Sequence, residues 1–244
     1  MAAPTPDLSL VFPVWNEQDN IERLLETALA LGSGLSGGFE IIVVDDGSRD
    51  RSAHHVLRKG EAHPEIRLVT HPSNRGYGAA LRSGLRAARG RWVFFSDADL
   101  QFDLHEIHRL LLHAESVDIV AGYRAPRRDP WGRRALAFGW GLVVRALFDL
   151  PVRDIDCAFK LFRREVIDAI PIASIGAFVN TEILVRARHA GFRIREVPVS
   201  HRPRLHGRQS GAHPRVVLRA VVELAMLYRD LRLPAAPAGT RAEG

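Results

Sequence analysis

The sequence predicts an α/β protein with a mainly parallel sheet, on three observations. Short apolar runs alternate with helical patterns through the first half of the chain. Several of those runs are apolar throughout, as strands buried on both faces are. Acidic and turn-forming residues gather immediately after the runs, where an open parallel sheet places its ligands.

Each element has its own justification. Residues 8–14 (LSLVFPV) read as a strand, and 17–32 as an amphipathic helix with Ile21, Leu24, Leu25, Ala28 and Leu29 on one face. FEIIVVD (39–45) is a continuous buried strand; 51–62 follows as a helix and IRLVT (66–70) as a short strand. Residues 76–90 are helical, WVFFS (92–96) is a strand, 104–116 a helix and VDIVAGY (117–123) a strand. The second half is less regular: a helix over 133–148, a strand near 158–162, a helix over 180–190, a strand over 192–200 and a helix over 214–233. With no internal repeat and no linker, residues 1–233 are expected to form one domain. The Pro/Ala/Gly-rich tail 234–244 is expected to be disordered.

Composition narrows the function. The chain has 244 residues, with 34 Lys+Arg against 28 Asp+Glu. The positive excess falls after residue 120, in YRAPRRDPWGRR (123–134) and RIREVPVSHRPRLHGR (193–208). Arginine clusters take phosphates bidentately, so a phosphate-bearing partner is expected. Nucleic acid would also satisfy the charge, but no helix-turn-helix, RRM or zinc-finger signature is present, and none is expected as a partner. The single Cys157 excludes an internal disulfide and a cysteine-rich zinc site, and fits a reducing, cytoplasmic compartment as a small buried filler. The first residues lack the basic and apolar pattern of a secretory leader, and no run reaches the ~18 apolar residues of a membrane span.

The strand ends carry the chemistry. The first run ends in PVWNE, the second in DDGS, the fourth in DADLQ and the fifth in GYR. Asp97 and Asp99 are two residues apart, so in extended backbone they point the same way. Two like charges side by side call for a cation between them. Hard oxygen donors favour Mg²⁺ or Mn²⁺, which would bridge the carboxylates to a diphosphate. DDGS taken alone is equally a turn with a helix cap. Other chemistries fail on spacing: Leu81 stands where a dinucleotide fingerprint needs its third glycine, and no P-loop or GxSxG elbow occurs. The histidines have no ligand spacing and are expected on the surface or in packing.

FPVWNE, VVDDGS, NRGYGAALRSGLRAARG, DADLQ, GYR, RDIDCAFKLFRR, TEILVRARHAGFRIREVPV and PRLHGRQSG together resemble the family 2 glycosyltransferases, above all their dolichyl-phosphate mannose synthase-like branch. The match runs from Leu8 to about Leu231. The resemblance implies a GT-A fold: a single Rossmann-like domain, its central sheet flanked by helices, with a C-terminal amphipathic helix. It implies an inverting, metal-dependent transfer of a hexose from a nucleotide sugar of the GDP-mannose or UDP-glucose type to a polyprenyl phosphate. By the same resemblance, Pro13, Trp15, Glu17, Val44 and Asp46 form the base and ribose pocket. Asp97, Ala98, Asp99 and Gln101 form the diphosphate site, with Asp97, Asp99 and Gln101 on the metal. Arg124, Arg133 and Arg204 hold donor and acceptor phosphates, and Asp154 and Glu182 lie on the acceptor side. Asp99, Arg124 and Arg133 are the residues expected to matter most for catalysis.

The chain departs from the family pattern in places. Trp15 replaces the usual Tyr, Ala158 a residue that is often Gly, and Phe102-Asp103 a segment that commonly ends in Pro. GRQSG lacks the usual lysine, for which Arg208 is the substitute, and this leaves the donor open. Two other functions stay open: transfer to a soluble sugar, polysaccharide or protein, and nonenzymatic binding of a nucleotide sugar or phospholipid. Residues 135–148 and 214–233 are the candidate segments for peripheral contact with a membrane.

Overall fold

Sheet order fixes where the polar strand ends meet. The structure is a computed structural model that describes residues 6–35, 37–126, 131–203 and 214–232. Its seven strands are β1 (Leu8–Val14), β2 (Phe39–Asp45), β3 (Ile66–Thr70), β4 (Trp92–Ser96), β5 (Ile119–Arg124), β6 (Phe159–Arg163) and β7 (Ile194–Val199). They lie in the order β3-β2-β1-β4-β6-β5-β7. All neighbours pair in parallel except β6, which runs antiparallel to both β4 and β5. The sheet is therefore mainly parallel, as expected.

The helices are α1 (Gln18–Ser33), α2 (Ser52–Ala62), α3 (Tyr77–Ala87), α4 (Ile107–Ala114), α5 (Trp131–Phe148), α6 (Arg164–Ala169), α7 (Val179–His189) and α8 (Pro214–Arg232). Sequence periodicity anticipates all but α6, whose six residues are too few for a helical pattern to register. The helix expected at 104 begins instead as a 3₁₀ turn, Leu104–Glu106, with the Asp103 carboxylate accepting from the His105 N–H as its cap. The tail from 234 on lies outside the described residues.

The core is continuous across the antiparallel seam. Phe94 meets Phe159 edge to face with ring centres 4.7 Å apart, and Phe95 stacks on Phe162 at 5.8 Å. On the other side, α1 buries Ile21, Leu24, Leu25 and Ala28. The small Gly84 lets α3 sit close to the sheet, since a Cβ there would stand 2.4 Å from Val11.

Candidate active site

The carboxyl ends of β2, β1 and β4 open side by side. β1 lies between β2 and β4, so the acids after β2 and those after β4 flank the β1 loop; they are not on adjacent strands. The β1 and β2 loops are tied to each other by a set of hydrogen bonds. The Asn16 N–H donates to Ser48 Oγ (2.9 Å), Glu17 N–H to Ser52 Oγ (2.9 Å), Gln18 N–H to Asp50 (3.0 Å), and Arg49 N–H to Asn16 Oδ1 (2.8 Å). Asn16 takes a left-handed φ of 55°, which short polar side chains tolerate. Pro13 and Val44 are buried beneath this loop pair, while Trp15 stands 51% exposed above it. Glu17 is half-buried, and its carboxylate accepts from Asn20 Nδ2 at 2.6 Å.

Asp46 reaches the β3 side. One carboxylate oxygen pairs with His71 Nδ1 (2.6 Å) and the Arg75 N–H (2.9 Å), and the other accepts from the Gly76 N–H (2.8 Å). His71 Nε2 in turn lies 2.9 Å from Ser83 Oγ on α3. Asp46 and His71 are both buried, so Asp46 shapes the crevice by holding the 71–76 loop and the start of α3. Gly47 (φ 71°) allows the close approach: a Cβ there would be 2.5 Å from the Ser73 backbone. In the sequence His71 reads with the other histidines as a surface or packing residue; the signal for a place at the site is its position immediately after β3.

The turn after β4 carries the acids. Asp99 is buried, its Oδ1 accepting from the Gln101 N–H at 3.2 Å across Leu100, which holds a φ of 58°. A bulky residue with positive φ is strained, and such strain is stored where a turn must aim functional groups. Ala98 is packed into the core. Gln101 ties this turn to the chain leaving β7: its Nε2 donates to the Arg202 carbonyl (3.0 Å), and the Arg202 N–H donates to the Gln101 carbonyl (2.7 Å). Arg204 and Arg208 follow that contact and lie outside the described residues. The Arg202 guanidinium pairs with Asp103 at 2.7 Å, so Asp103 serves the turn and its cap, apart from Asp97 and Asp99.

The donors here suit a hard divalent cation. Among the described residues no three His, Cys, Asp or Glu converge as a metal group. Asp97 and Asp99 would supply two carboxylates and Gln101 its side-chain oxygen, with the remaining positions left to phosphate oxygens and water, the usual way Mg²⁺ is held. Beside them lies the hydroxyl of Tyr77, buried and without a hydrogen bond of full geometry. Its neighbours are Asp97 and Asn180; burial first, then the Asp97 charge, raise the phenol well above its usual pKa.

The far wall is built on buried charge. Arg124, at the end of β5, forms a two-pronged pair with Asp154: Nε and Nη2 each lie 2.7 Å from the carboxylate, which also accepts the Arg124 N–H. The structure thus unites two expected acceptor-side residues as partners of each other. Lys160 is 1% exposed in the middle of β6 and donates to the carbonyls of Ile155 (3.1 Å) and Cys157 and to Asn180 Oδ1 (3.3 Å). Desolvation pulls its pKa down. Glu182, buried on α7, accepts from the N–H groups of Ala173 and Ser174 and from Arg186 Nε. It braces the 173–176 segment against α3, where the Gly78 N–H donates to the Ile175 carbonyl. Arg133 falls in the first turn of α5, and its side chain lies outside the described part of the structure.

No described helix is long and apolar enough to cross a membrane. α5 nevertheless exposes Phe138, Leu142, Val143 and Leu147, and α8 exposes Leu218, Val221, Val222 and Met226.

Comparison with known proteins supplies the wider context. The chain is 34% identical over 203 residues to an undecaprenyl-phosphate 4-deoxy-4-formamido-L-arabinose transferase from Edwardsiella ictaluri, covering 82% of this chain and 61% of that protein. It is 35% identical over 208 residues to the protein of the same description from Pseudomonas fluorescens, covering 84% and 60%. The chain therefore spans about three fifths of the length of these relatives. Among solved structures, it superposes on glucosyl-3-phosphoglycerate synthase from Mycobacterium tuberculosis, in complex with Mn²⁺, UDP and phosphoglyceric acid. That match has a TM-score of 0.73 at 23% identity, over 96% of this chain and 82% of that one. The same synthase has also been crystallised with Mg²⁺ and UDP (TM-score 0.66, 23% identity, 93% and 76% covered). These likenesses support the GT-A expectation for the fold. The family described as Glycosyl transferase family 2 matches residues 9–170, and the chain belongs to it.

Proposed function

We propose that the chain is a metal-dependent, inverting glycosyltransferase that moves a sugar from a nucleotide-sugar donor to a polyprenyl phosphate. The observation that carries this reading is the Asp97/Asp99 turn at the mouth of a family 2 crevice, in a chain whose relatives are named as undecaprenyl-phosphate transferases. The sequence resemblance suggests a hexose, whereas those relatives are named for a formamido-arabinose, so the donor is to be found by trial.

In this reading Trp15 offers an aromatic face to the base above Pro13 and Val44, and Glu17 lies at the pocket rim. Asp46 contributes by fixing the 71–76 wall. Asp97 and Asp99, with Gln101, hold Mg²⁺ or Mn²⁺, which when bound neutralises charge on a departing diphosphate. An acceptor phosphate is already anionic at neutral pH, so the protein's part is to position it rather than to take a proton. Arg133, Arg204 and Arg208 are assigned to the phosphates, and Arg124 to ordering that wall through Asp154. In-line attack inverts the anomeric carbon. The apolar faces of α5 and α8 suit peripheral contact with the membrane that carries such an acceptor.

The test is to incubate the protein with polyprenyl phosphate, Mg²⁺ or Mn²⁺, and a panel of radiolabelled sugar nucleotides including GDP-mannose and UDP-glucose, then extract into organic solvent. Label in the organic phase with one donor supports the reading. Transfer only to water-soluble products would replace it with the soluble-acceptor alternative, and donor binding without turnover would replace it with the nonenzymatic one.

A further inference from the structure

We infer that His71 is a positioning residue for the nucleotide crevice: anchored by Ser83, it fixes the Asp46 carboxylate and, through it, the Arg75–Gly76 turn that opens α3. Asp46 follows β2, His71 follows β3 and Ser83 lies on α3, so the contact ties three elements together at the carboxyl edge of the sheet. This role rests on the reading that the crevice at that edge receives a nucleotide.

The bonding follows from what each group can do. A carboxylate only accepts, so the His71 Nδ1 that lies 2.6 Å from Asp46 Oδ1 carries a proton. The other ring nitrogen, Nε2, faces Ser83 Oγ at 2.9 Å. A hydroxyl both donates and accepts, so Ser83 anchors the ring whether Nε2 is bare or protonated. The Arg75 N–H donates to the same Asp46 oxygen and the Gly76 N–H to the other. Two donors fill Oδ1, a third occupies Oδ2, and the side chain is only 3% exposed. Asp46 is thus turned toward the protein and acts on a ligand through the loop it holds.

The turn is gripped from both flanks. Gly76 has a φ of 99°, and a Cβ there would stand 2.4 Å from the Ile175 carbonyl oxygen, which also accepts the Gly78 N–H at 3.0 Å. On the other flank the Gly47 backbone packs directly on Ser73. Asp46 is the charged acceptor between these two supports. Residues 72–75, by contrast, are exposed, so a fixed stretch of backbone presents Ser73, Asn74 and Arg75 at the rim of the crevice. Burying an imidazole and a carboxylate is costly unless their polar atoms are paired, and here both ring nitrogens and both carboxylate oxygens have partners. A wall ordered in advance spares a ligand the cost of ordering it.

The experiment measures binding of UDP and, separately, GDP in the presence of Mn²⁺ by wild type, His71→Leu, His71→Asn and Ser83→Ala. Melting temperature, hydrogen exchange at the 75 and 76 amides, and ¹⁵N spectra of the histidine rings are recorded alongside. His71→Leu removes the donor, whereas His71→Asn can return an amide N–H near the place of Nδ1. His71→Leu is expected to weaken nucleotide binding roughly tenfold and to speed exchange at 75 and 76, and His71→Asn to recover both to within about threefold of wild type. The ring signal that vanishes in His71→Asn is expected to show a proton on Nδ1. Ser83→Ala, at a partly exposed helix position, is expected to move both readouts the same way by roughly threefold, and it carries the test if His71→Leu does not fold. Three results would overturn the role of His71 and leave the nucleotide crevice standing: wild-type affinity and exchange in the variant that carries the test, equal losses in His71→Leu and His71→Asn, or a His71 ring protonated on Nε2 alone. Failure of wild type to bind either nucleotide would overturn both.

Discussion

The two sides of this molecule are built differently. On the β1–β2–β3 side, the loops at the carboxyl edge of the sheet are bound to one another: Asn16, Glu17 and Gln18 to the β2 loop, and Asp46 to His71 and the 75–76 backbone. Among the elements from β5 onward in the chain, the charges are buried in pairs beneath the surface, as Arg124 with Asp154 and Glu182 with Arg186, while α5 and α8 leave apolar side chains exposed. The difference is instructive. A pocket for a rigid, polar ligand gains from loops that need no rearrangement when the ligand arrives. A side that meets an apolar partner must instead keep hydrophobic surface uncovered on a frame stiff enough to hold it.

Four measurements sharpen or break that contrast. The largest effect is expected at Cys157, inside the paired-charge wall, where burial and then the Asp154 charge push the thiol up to about 12. Raising a thiol pKa suppresses the thiolate, so at pH 8 the folded protein should carry roughly a thousandfold less reactive sulfur than the unfolded chain. Labelling with a disulfide reagent before and after denaturation reads this directly; fast labelling of the folded protein would mean that the wall is open. Next, Asp154→Ala strands the Arg124 guanidinium in a buried site and should cost about 3–5 kcal/mol in denaturant unfolding. A smaller loss would show that water already reaches the pair.

On the other side, Asp46→Ala leaves the His71, Arg75 and Gly76 donors without their acceptor and should cost about 2–4 kcal/mol. It should also increase hydrogen exchange at the 75 and 76 amides; unchanged exchange there would detach Asp46 from the 71–76 loop. The smallest stability change belongs to the helices. Leu142→Glu and Val222→Glu sit at exposed positions (56% and 52%) and should alter stability by no more than about 0.5 kcal/mol. Both should reduce sedimentation with anionic phospholipid vesicles at low salt. Vesicle binding equal to wild type would remove the membrane from the account.

Much of this fold is legible in the sequence because its strands and helices are long enough to carry their own periodicity. LSLVFPV, FEIIVVD and WVFFS are strands within the limits read from the residues alone. The antiparallel course of β6 is not legible, because FKLFR looks like any buried strand, and its direction is set by pairing with partners over 60 residues earlier in the chain. That insertion is also what separates Arg124 from the β4 acids by a whole strand. In the site, chemistry at the strand ends could be read from Asp97, Asp99 and Asp46, since carboxylates after apolar runs need a reason. Their partners could not. The amides of 75 and 76 that hold Asp46 belong to a loop whose path no local rule fixes, and the contact of Lys160 with Asn180 depends on β6 meeting α7.

The central claim is that the turn after β4 binds the metal that drives transfer to a lipid phosphate. The most direct test follows organic-phase label from the active sugar nucleotide at a series of Mn²⁺ concentrations, for wild type and for Asp99→Ala at matched thermal stability. The account predicts metal-dependent label in wild type and a loss of roughly a hundredfold or more in Asp99→Ala. An Asp99→Ala protein with full metal-dependent transfer would contradict it.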